Sequence, residues 1–459
     1  MSEEALRKLH FPEAPRILVE PPGPRSTEYI RRQLEIESSA VSYPRAIPLA
    51  FEEGRGATLR DADGNVYIDF FGGAGVLNVG NCNPEVLRAV RDQVEKLTHA
   101  LDFPTAPRLE LSERLLEIAP LGLRGNAKIL FCAPTGSDAV EASVKLARYN
   151  TGRHPLLSFE GGYHGMTAGA VSLSSGKKFK ERYVPLYPEV HFAPYAYCYR
   201  CAFGREWGAC DLECATYVEH LLEDPHSGVV DPAAMVVEAV QGEGGSIPPP
   251  EAFISELRRI CDDYDVPLII DEIQAGLGRT GRMFACEHSG ATPDIMTVSK
   301  GIGGGLPLSA VIYNEKLDTW ERGAHIGTFR GHALAMAAGV ATLNFMGKYD
   351  LPSRAARIGQ RMLRRLEELK EESRYIGDVR GKGLMIGVEF VKDKGSKEPG
   401  ADVAGEVRKQ CYKRGLIVEL GGHYLNVVRF LPPLVLTEEL ADKGLDIMVE
   451  AVEAAERTA

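Results

Sequence analysis

No apolar run in the 459-residue chain approaches the roughly 20 residues that a membrane-spanning helix needs, so a helical membrane protein is not expected. Nor does the opening stretch, MSEEALRKLHFPEAPRILVEPPGPRS, hold the apolar core of a secretory signal. A cytoplasmic location is the expectation. Positive charge is in deficit: 53 Lys and Arg stand against 64 Asp and Glu, a formal net charge of -11, which argues against nucleic acid as a partner. Internal repeats and low-complexity tracts are absent. The clusters Gly301-Ile-Gly-Gly-Gly305 and Gly381-Lys-Gly383 lack the spacing of a nucleotide loop, so no ATP or NAD site is implied. Cysteine is sparse and odd in number, at nine, and most lie in apolar segments, as free thiols in a reducing compartment do. Four are gathered. In PYAYCYRCAFGREWGACDLEC, Cys198, Cys201, Cys210 and Cys214 are paired like zinc ligands. The eight-residue gap between the pairs is shorter than usual for structural zinc and no histidine joins the set, so no metal is assigned, and an exposed insertion is the plainer alternative.

What is present is enough chain for two domains. Short apolar runs, Lys128-Ile-Leu-Phe-Cys132, Ala234-Met-Val-Val-Glu238 and Val266-Pro-Leu-Ile-Ile-Asp271, alternate with segments of helical period such as DAVEASVKLARYN (138–150) and PEAFISELRRICDDY (250–264). That alternation predicts an α/β architecture: a mainly parallel sheet flanked by helices, with a smaller α+β domain after it. The expected division is an N-terminal segment 1–74 packing with the small domain, a large domain 75–332 and a small domain 333–459.

The chemistry-bearing residues fall at strand ends. Asp271 and Glu272 follow an apolar strand, at the edge where ligands bind in open α/β sheets. A carboxylate held there can form a charge-assisted bond to a protonated ring nitrogen. Lys300 closes the next apolar run and enters glycines; confinement favours the neutral amine, the form that condenses with an aldehyde. An acid for a heterocyclic nitrogen plus a Schiff-base lysine is the pairing expected for pyridoxal phosphate. Thr135-Gly136-Ser137-Asp138, small residues at a helix start, offer backbone N–H groups and a hydroxyl to its phosphate. Gly161-Gly-Tyr-His-Gly165 adds an aromatic that can stack on a flat ring.

Nearly the whole chain resembles the class III aminotransferases, pyridoxal-phosphate enzymes of fold type I. The resemblance is carried by DADGNVYIDFFGGAGVLNVGN, APTGSDAVEASVKLAR, GGYHGMT, VVEAVQGEGG, LIIDEIQAGLGRTGRMFACEHSGATPDIMTVSKGIGGGLPL, GTFRGHALAMAAG and RFLPPL. It implies that Lys300 carries the cofactor and Asp271 meets its pyridine nitrogen. It further implies that Gln274 reaches the ring hydroxyl, Gly136 and Ser137 hold the phosphate, and Tyr163 and His164 line the ring. Thr328 would reach the phosphate of the neighbouring subunit's cofactor, which implies a homodimer with shared sites, or a tetramer built from it.

Substrate choice rests on fewer residues. By the same resemblance Arg429 grips the α-carboxylate of 2-oxoglutarate and Glu243 neutralises it when an ω-amine donor is bound. Met166 stands where GABA and ornithine enzymes place an arginine, and Ala74 where ornithine enzymes place a tyrosine. YHGMT with GTFRG instead resembles 2,4-diaminobutyrate:2-oxoglutarate aminotransferases, with Arg330 expected on a distal carboxylate or in a structural ion pair; His332 stands where asparagine is usual. The expectation is therefore an ω-aminotransferase that moves the terminal amino group of a small diamino or ω-amino acid, 2,4-diaminobutyrate first among them, to 2-oxoglutarate by a ping-pong mechanism. Its alternatives are a racemase on the same scaffold, a GABA/ornithine-type aminotransferase and a non-catalytic binding protein.

Overall fold

Apolar runs bounded by turn residues become the strands of a seven-stranded sheet. Its order is Ala127–Cys132, Ser309–Asn314, Ile295–Val298, Leu268–Asp271, Ala234–Glu238, Leu156–Phe159, Val190–Ala193. Ser309–Asn314 runs antiparallel to both neighbours, and the other pairings are parallel. The central strands are buried along their whole length, which is why they read as continuous apolar runs rather than as alternation. The computed structural model describes residues 3–187 and 189–457. The sheet belongs to a compact unit spanning Glu85–Ser353, and the stretches up to Pro84 and from Arg354 onward form a second unit.

Within the sheet unit, helix Gly136–Thr151 starts after an extended Thr135 and carries Asp138 in its first turn. It ends at Gly152, whose φ of 68° lets its N–H return to the Arg148 carbonyl. Its inner face sends Val140, Val144 and Ala147 into a core shared with Val236, Ile269 and Ile295, each valine contributing about 1.5–3 kcal/mol by burial. Helix Ala333–Tyr349 is apolar nearly all round. A Cβ at Gly339 would sit 3.0 Å from the Ile302 carbonyl and against Leu111, so this helix packs as part of the sheet unit. The division accordingly falls at 84/85 and 353/354, not at the expected 74/75 and 332/333.

The second unit holds two sheets. Thr58–Asp61 and Val66–Asp69 form an antiparallel hairpin with Leu59 opposite Tyr67. Its turn is built on Asp61, whose carboxylate accepts from the N–H of Asp63 and of Asn65. Leu416–Ile417 pairs parallel to Ile68–Asp69, so N-terminal and C-terminal chain share one sheet. The other sheet runs Ile376–Lys382, Met385–Asp393, Val427–Phe430, Glu419–Gly421, and helices Ala401–Lys413 and Glu438–Glu456 meet through Cys411 and Met448. Among the described residues no helix is long and apolar enough to cross a membrane.

Candidate active site

Three neighbouring strands align their ends: Glu238 lies opposite Asp271, and Asp271 opposite Thr297. Lys300 follows three residues later, so acid, hydroxyl and amine come from one carboxyl edge, where open α/β sheets bind ligands. The turns 133–137, 161–165 and 241–243 leave strands at the same edge.

Asp271 is 4% exposed, and its carboxylate is held on both oxygens. Oδ2 lies 2.8 Å from His164 Nδ1; Oδ1 accepts from Thr297 Oγ1 at 3.2 Å and from the Ile273 N–H at 3.0 Å. Burial opposes charge on His164, yet the bond to Asp271 and the charges of Asp271 and Glu238 keep its imidazole above the ordinary value. Glu272, adjacent in sequence, has a different task. It accepts from the N–H groups of Ala285 and Cys286 at 2.8 and 2.7 Å, and burial pushes its carboxyl up to about 7.

Glu238 is a further functional residue, with no role expected from the sequence. Its Oε1 accepts from the Tyr163 N–H at 3.0 Å and its Oε2 from the Gly242 N–H at 2.8 Å, tying the aromatic turn to the Gln241–Glu243 turn. The feature that singled out Asp271, an acid closing an apolar strand, is present here too. Burial pushes Glu238 up to about 7, with His164 opposing and Asp271 adding to the rise. The folded chain therefore holds this proton where the unfolded chain, at 4.5, has released it, and stability falls as pH rises from about 4.5 through about 7. Glu238→Gln is expected to flatten that slope and to relieve up to about 3 kcal/mol above it, less what its altered bonds lose. Melting temperatures from about pH 5 to about pH 8 check this. Parallel curves for variant and wild type would refute it.

Lys300 opens a 3-10 turn, Lys300–Gly303, with φ +44°. A side-chain-bearing residue in this left-handed region costs about 1–2 kcal/mol, a strain of the kind that clusters at functional sites. Ser299 anchors the preceding position through Oγ to the Leu308 carbonyl at 2.8 Å.

At the start of helix Gly136–Thr151, Ser137 Oγ accepts from the Met166 N–H at 3.1 Å. Gly165, at φ +125°, presses on that hydroxyl so closely that a Cβ would overlap it. Gly136 lies against Ile273, and Gln274 covers Gly242. Tyr163 packs edge-on to Phe179 with ring centroids 5.3 Å apart. Thr328 is exposed in a loop where Ile326 and Phe329 are 72% and 56% exposed.

The remaining sequence candidates are distributed. Glu243 lies 3.7 Å from Lys178 Nζ. Arg429, in the other unit, sits on strand Val427–Phe430 opposite Glu419 and Gly387, only 5% exposed, so it is no surface charge. Arg330 meets Asp138, NH1 to Oδ2 at 3.2 Å and NH2 to Oδ1 at 3.4 Å, and His325 reaches the same carboxylate. All nine cysteines are free thiols; Cys198, Cys201, Cys210 and Cys214 are half-buried, and burial together with neighbouring Cys198 and Cys201 pushes Cys214 up to about 11.

Residues 39–452 match the family described as aminotransferase class-III. A diaminobutyrate–2-oxoglutarate aminotransferase of Rhizobium meliloti (strain 1021) is 43% identical over 439 residues, 94% of this chain and 93% of the relative. A leucine/methionine racemase of Thermococcus litoralis is 40% identical over 437 residues, 93% and 96% of the two chains. Among solved structures, an (S)-enantioselective omega-transaminase from Thermomicrobium roseum superposes with a TM-score of 0.83 at 29% identity, over 94% of this chain and 98% of that one. Match, relatives and superposition extend along both units, and the architecture is fold type I. An enzyme is therefore described by these strand ends, and the chain belongs to the class III aminotransferases.

Proposed function

We propose that the chain is a pyridoxal-phosphate-dependent ω-aminotransferase that moves the terminal amino group of 2,4-diaminobutyrate to 2-oxoglutarate in a ping-pong cycle. The observation that carries the reaction is the alignment of Asp271 with Lys300 at one sheet edge. The donor is taken from the relative at 43% identity.

The residues present fit the cofactor. A carboxylate accepts about four hydrogen bonds; His164, Thr297 and the Ile273 N–H occupy three sites on Asp271, which leaves a lone pair for a pyridinium. A 16-residue helix presents its N-terminal dipole and N–H groups at Gly136 and Ser137, a fit for a phosphate. Pyridoxal phosphate supplies an electron sink for the substrate carbon that bears the transferred nitrogen. Asp271, positioned by His164 and Thr297, would meet the protonated ring nitrogen. Lys300 Nζ would take the proton from the substrate carbon as general base and deliver it, as general acid, to the cofactor carbon that receives the nitrogen. Tyr163, its turn fixed by Glu238, would cover the ring, and Gln274 would meet the ring hydroxyl. Arg429 would grip the α-carboxylate of the oxo acid, and Glu243 would neutralise that arginine when the amino donor is bound. Exposed Thr328 supports a homodimer in which it reaches the partner's cofactor.

For Arg330 the expectation was either a distal carboxylate or a structural ion pair. Its contacts with Asp138 favour an ion pair that steadies the phosphate-binding helix start. Arg330→Ala is expected to leave the KM for 2-oxoglutarate within about threefold while lowering stability by about 1–3 kcal/mol, the cost of leaving a half-buried carboxylate with fewer partners. Steady-state kinetics with a thermal melt check it; a tenfold or larger rise in KM would return Arg330 to the substrate.

A racemase is the second reading, favoured by the 40% identical relative. Purified protein given 2,4-diaminobutyrate and 2-oxoglutarate is expected to form glutamate. Loss of chirality in single amino acids, with no glutamate formed, would favour the racemase instead.

A further inference from the structure

Between the short helical turn Cys198–Arg200 and helix Glu213–Glu223 the chain forms neither helix nor strand. Residues 202–209 are all exposed, with Phe203 at 37% and Trp207 at 56%, so apolar burial does not hold this excursion in place. Loops of this length without structure of their own are uncommon and need another constraint. Four residues turn inward instead. Cys198, Cys201, Cys210 and Cys214 are half-buried and line one cavity of about 20 Å³ together with Tyr195, Tyr197 and Arg205. That is room for one atom-sized guest.

We propose that this cavity binds one zinc ion through the four thiolates of Cys198, Cys201, Cys210 and Cys214. Eight residues separate the pairs in sequence, short for such a site, but the fold brings them to the same small space. Cys198 and Cys201 span a tight turn. Cys210 and Cys214 flank Leu212, which sits at φ +56°; a left-handed leucine is strained and persists only where its surroundings fix it.

An all-sulfur donor set selects zinc or an iron–sulfur cluster, and a cavity for one guest excludes a cluster. With no position left for water, the ion is structural rather than catalytic. Four thiols give up their protons to the solvent as zinc enters, leaving a net charge of about -2, and Arg205 on the cavity wall, paired with Glu213 at 2.8 Å, supplies opposite charge. The sulfurs are not yet within the mutual 4.8 Å kept by Cys132, Asp138 and His325. The ion draws them to about 3.8 Å, the edge of a tetrahedron with ~2.3 Å Zn–S arms. The Cys132, Asp138 and His325 group is no rival, because Arg330 already occupies Asp138.

Untagged full-length protein is expected to carry about one zinc per chain by elemental analysis, with an X-ray absorption signature of about four sulfurs. Replacing that zinc with Co²⁺ alone should produce an intense sulfur-to-cobalt charge-transfer band. Cys201→Ser/Cys210→Ser is expected to lose both the metal and the band. Wild-type protein that takes up neither ion would overturn the proposal, as would a folded double variant that keeps its full zinc content. Disulfides in protein purified under reducing conditions would overturn it as well.

Discussion

Replacing Lys300 with alanine is expected to stop glutamate formation while leaving the fold intact. The amine stands at the end of strand Ile295–Val298 in a left-handed turn, a geometry adopted at a cost of about 1–2 kcal/mol. An alanine there keeps that backbone cost and loses the group it serves. Proton transfer by a positioned side chain is worth on the order of 10²–10⁴ in rate, and the variant also loses the nucleophile that holds the cofactor, so the combined loss is expected at the upper end or beyond. Lys300→Arg is expected to fail as badly, because a guanidinium stays protonated and neither condenses with an aldehyde nor takes up a proton. The check is the rate of glutamate formation, with circular dichroism to confirm folding and a small external amine to restore part of the proton transfer. A folded alanine variant retaining more than about a tenth of wild-type turnover, a loss of under ~1.4 kcal/mol, would remove Lys300 from the mechanism.

The strand-end positions of Lys300 and Asp271 were legible from the sequence because strands buried on both faces read as unbroken apolar runs. A charged residue that closes such a run stands out. Glu238 also closes such a run but was given no role, because its task depends on N–H groups of Tyr163 and Gly242, contacts that only folding creates. The Arg330 to Asp138 pair joins residues 192 positions apart, and no local pattern encodes it. Helix Ala333–Tyr349 is apolar nearly all round, so its pattern names no face and hence no preferred unit. That is why the division was expected at 332/333 and lies at 353/354. Within the cysteine segment, spacing alone argued against a common site, while the left-handed turn at Leu212, which brings the second pair round, has no glycine to announce it.

Asp271→Asn is the second large loss. The substitution keeps the shape of the side chain and removes its charge. Thr297 Oγ1 and the Ile273 N–H both donate to Oδ1, so the asparagine must turn its carbonyl to them and its NH₂ to His164. His164 Nδ1 then has to accept, which fixes the neutral imidazole with its proton on Nε2, and the raised pKa that Asp271 now sustains is lost. Neither the amide nor the neutral histidine can hold a proton on a ring nitrogen facing the same edge. A hydrogen bond to a charged group is worth about 1.5–3 kcal/mol, or about 10- to 150-fold in rate, and loss of the ring proton removes the electron sink itself. The fall in kcat is therefore expected to exceed that range. Asp271→Ala should additionally destabilise the fold, because His164, Thr297 and the Ile273 N–H lose their common acceptor in a buried site. Turnover, cofactor absorbance and melting temperature measured on both variants separate the effects. Near-wild-type kcat in a cofactor-loaded Asn variant would mean that Asp271 only organises its protein neighbours, and that the ring nitrogen finds its partner elsewhere.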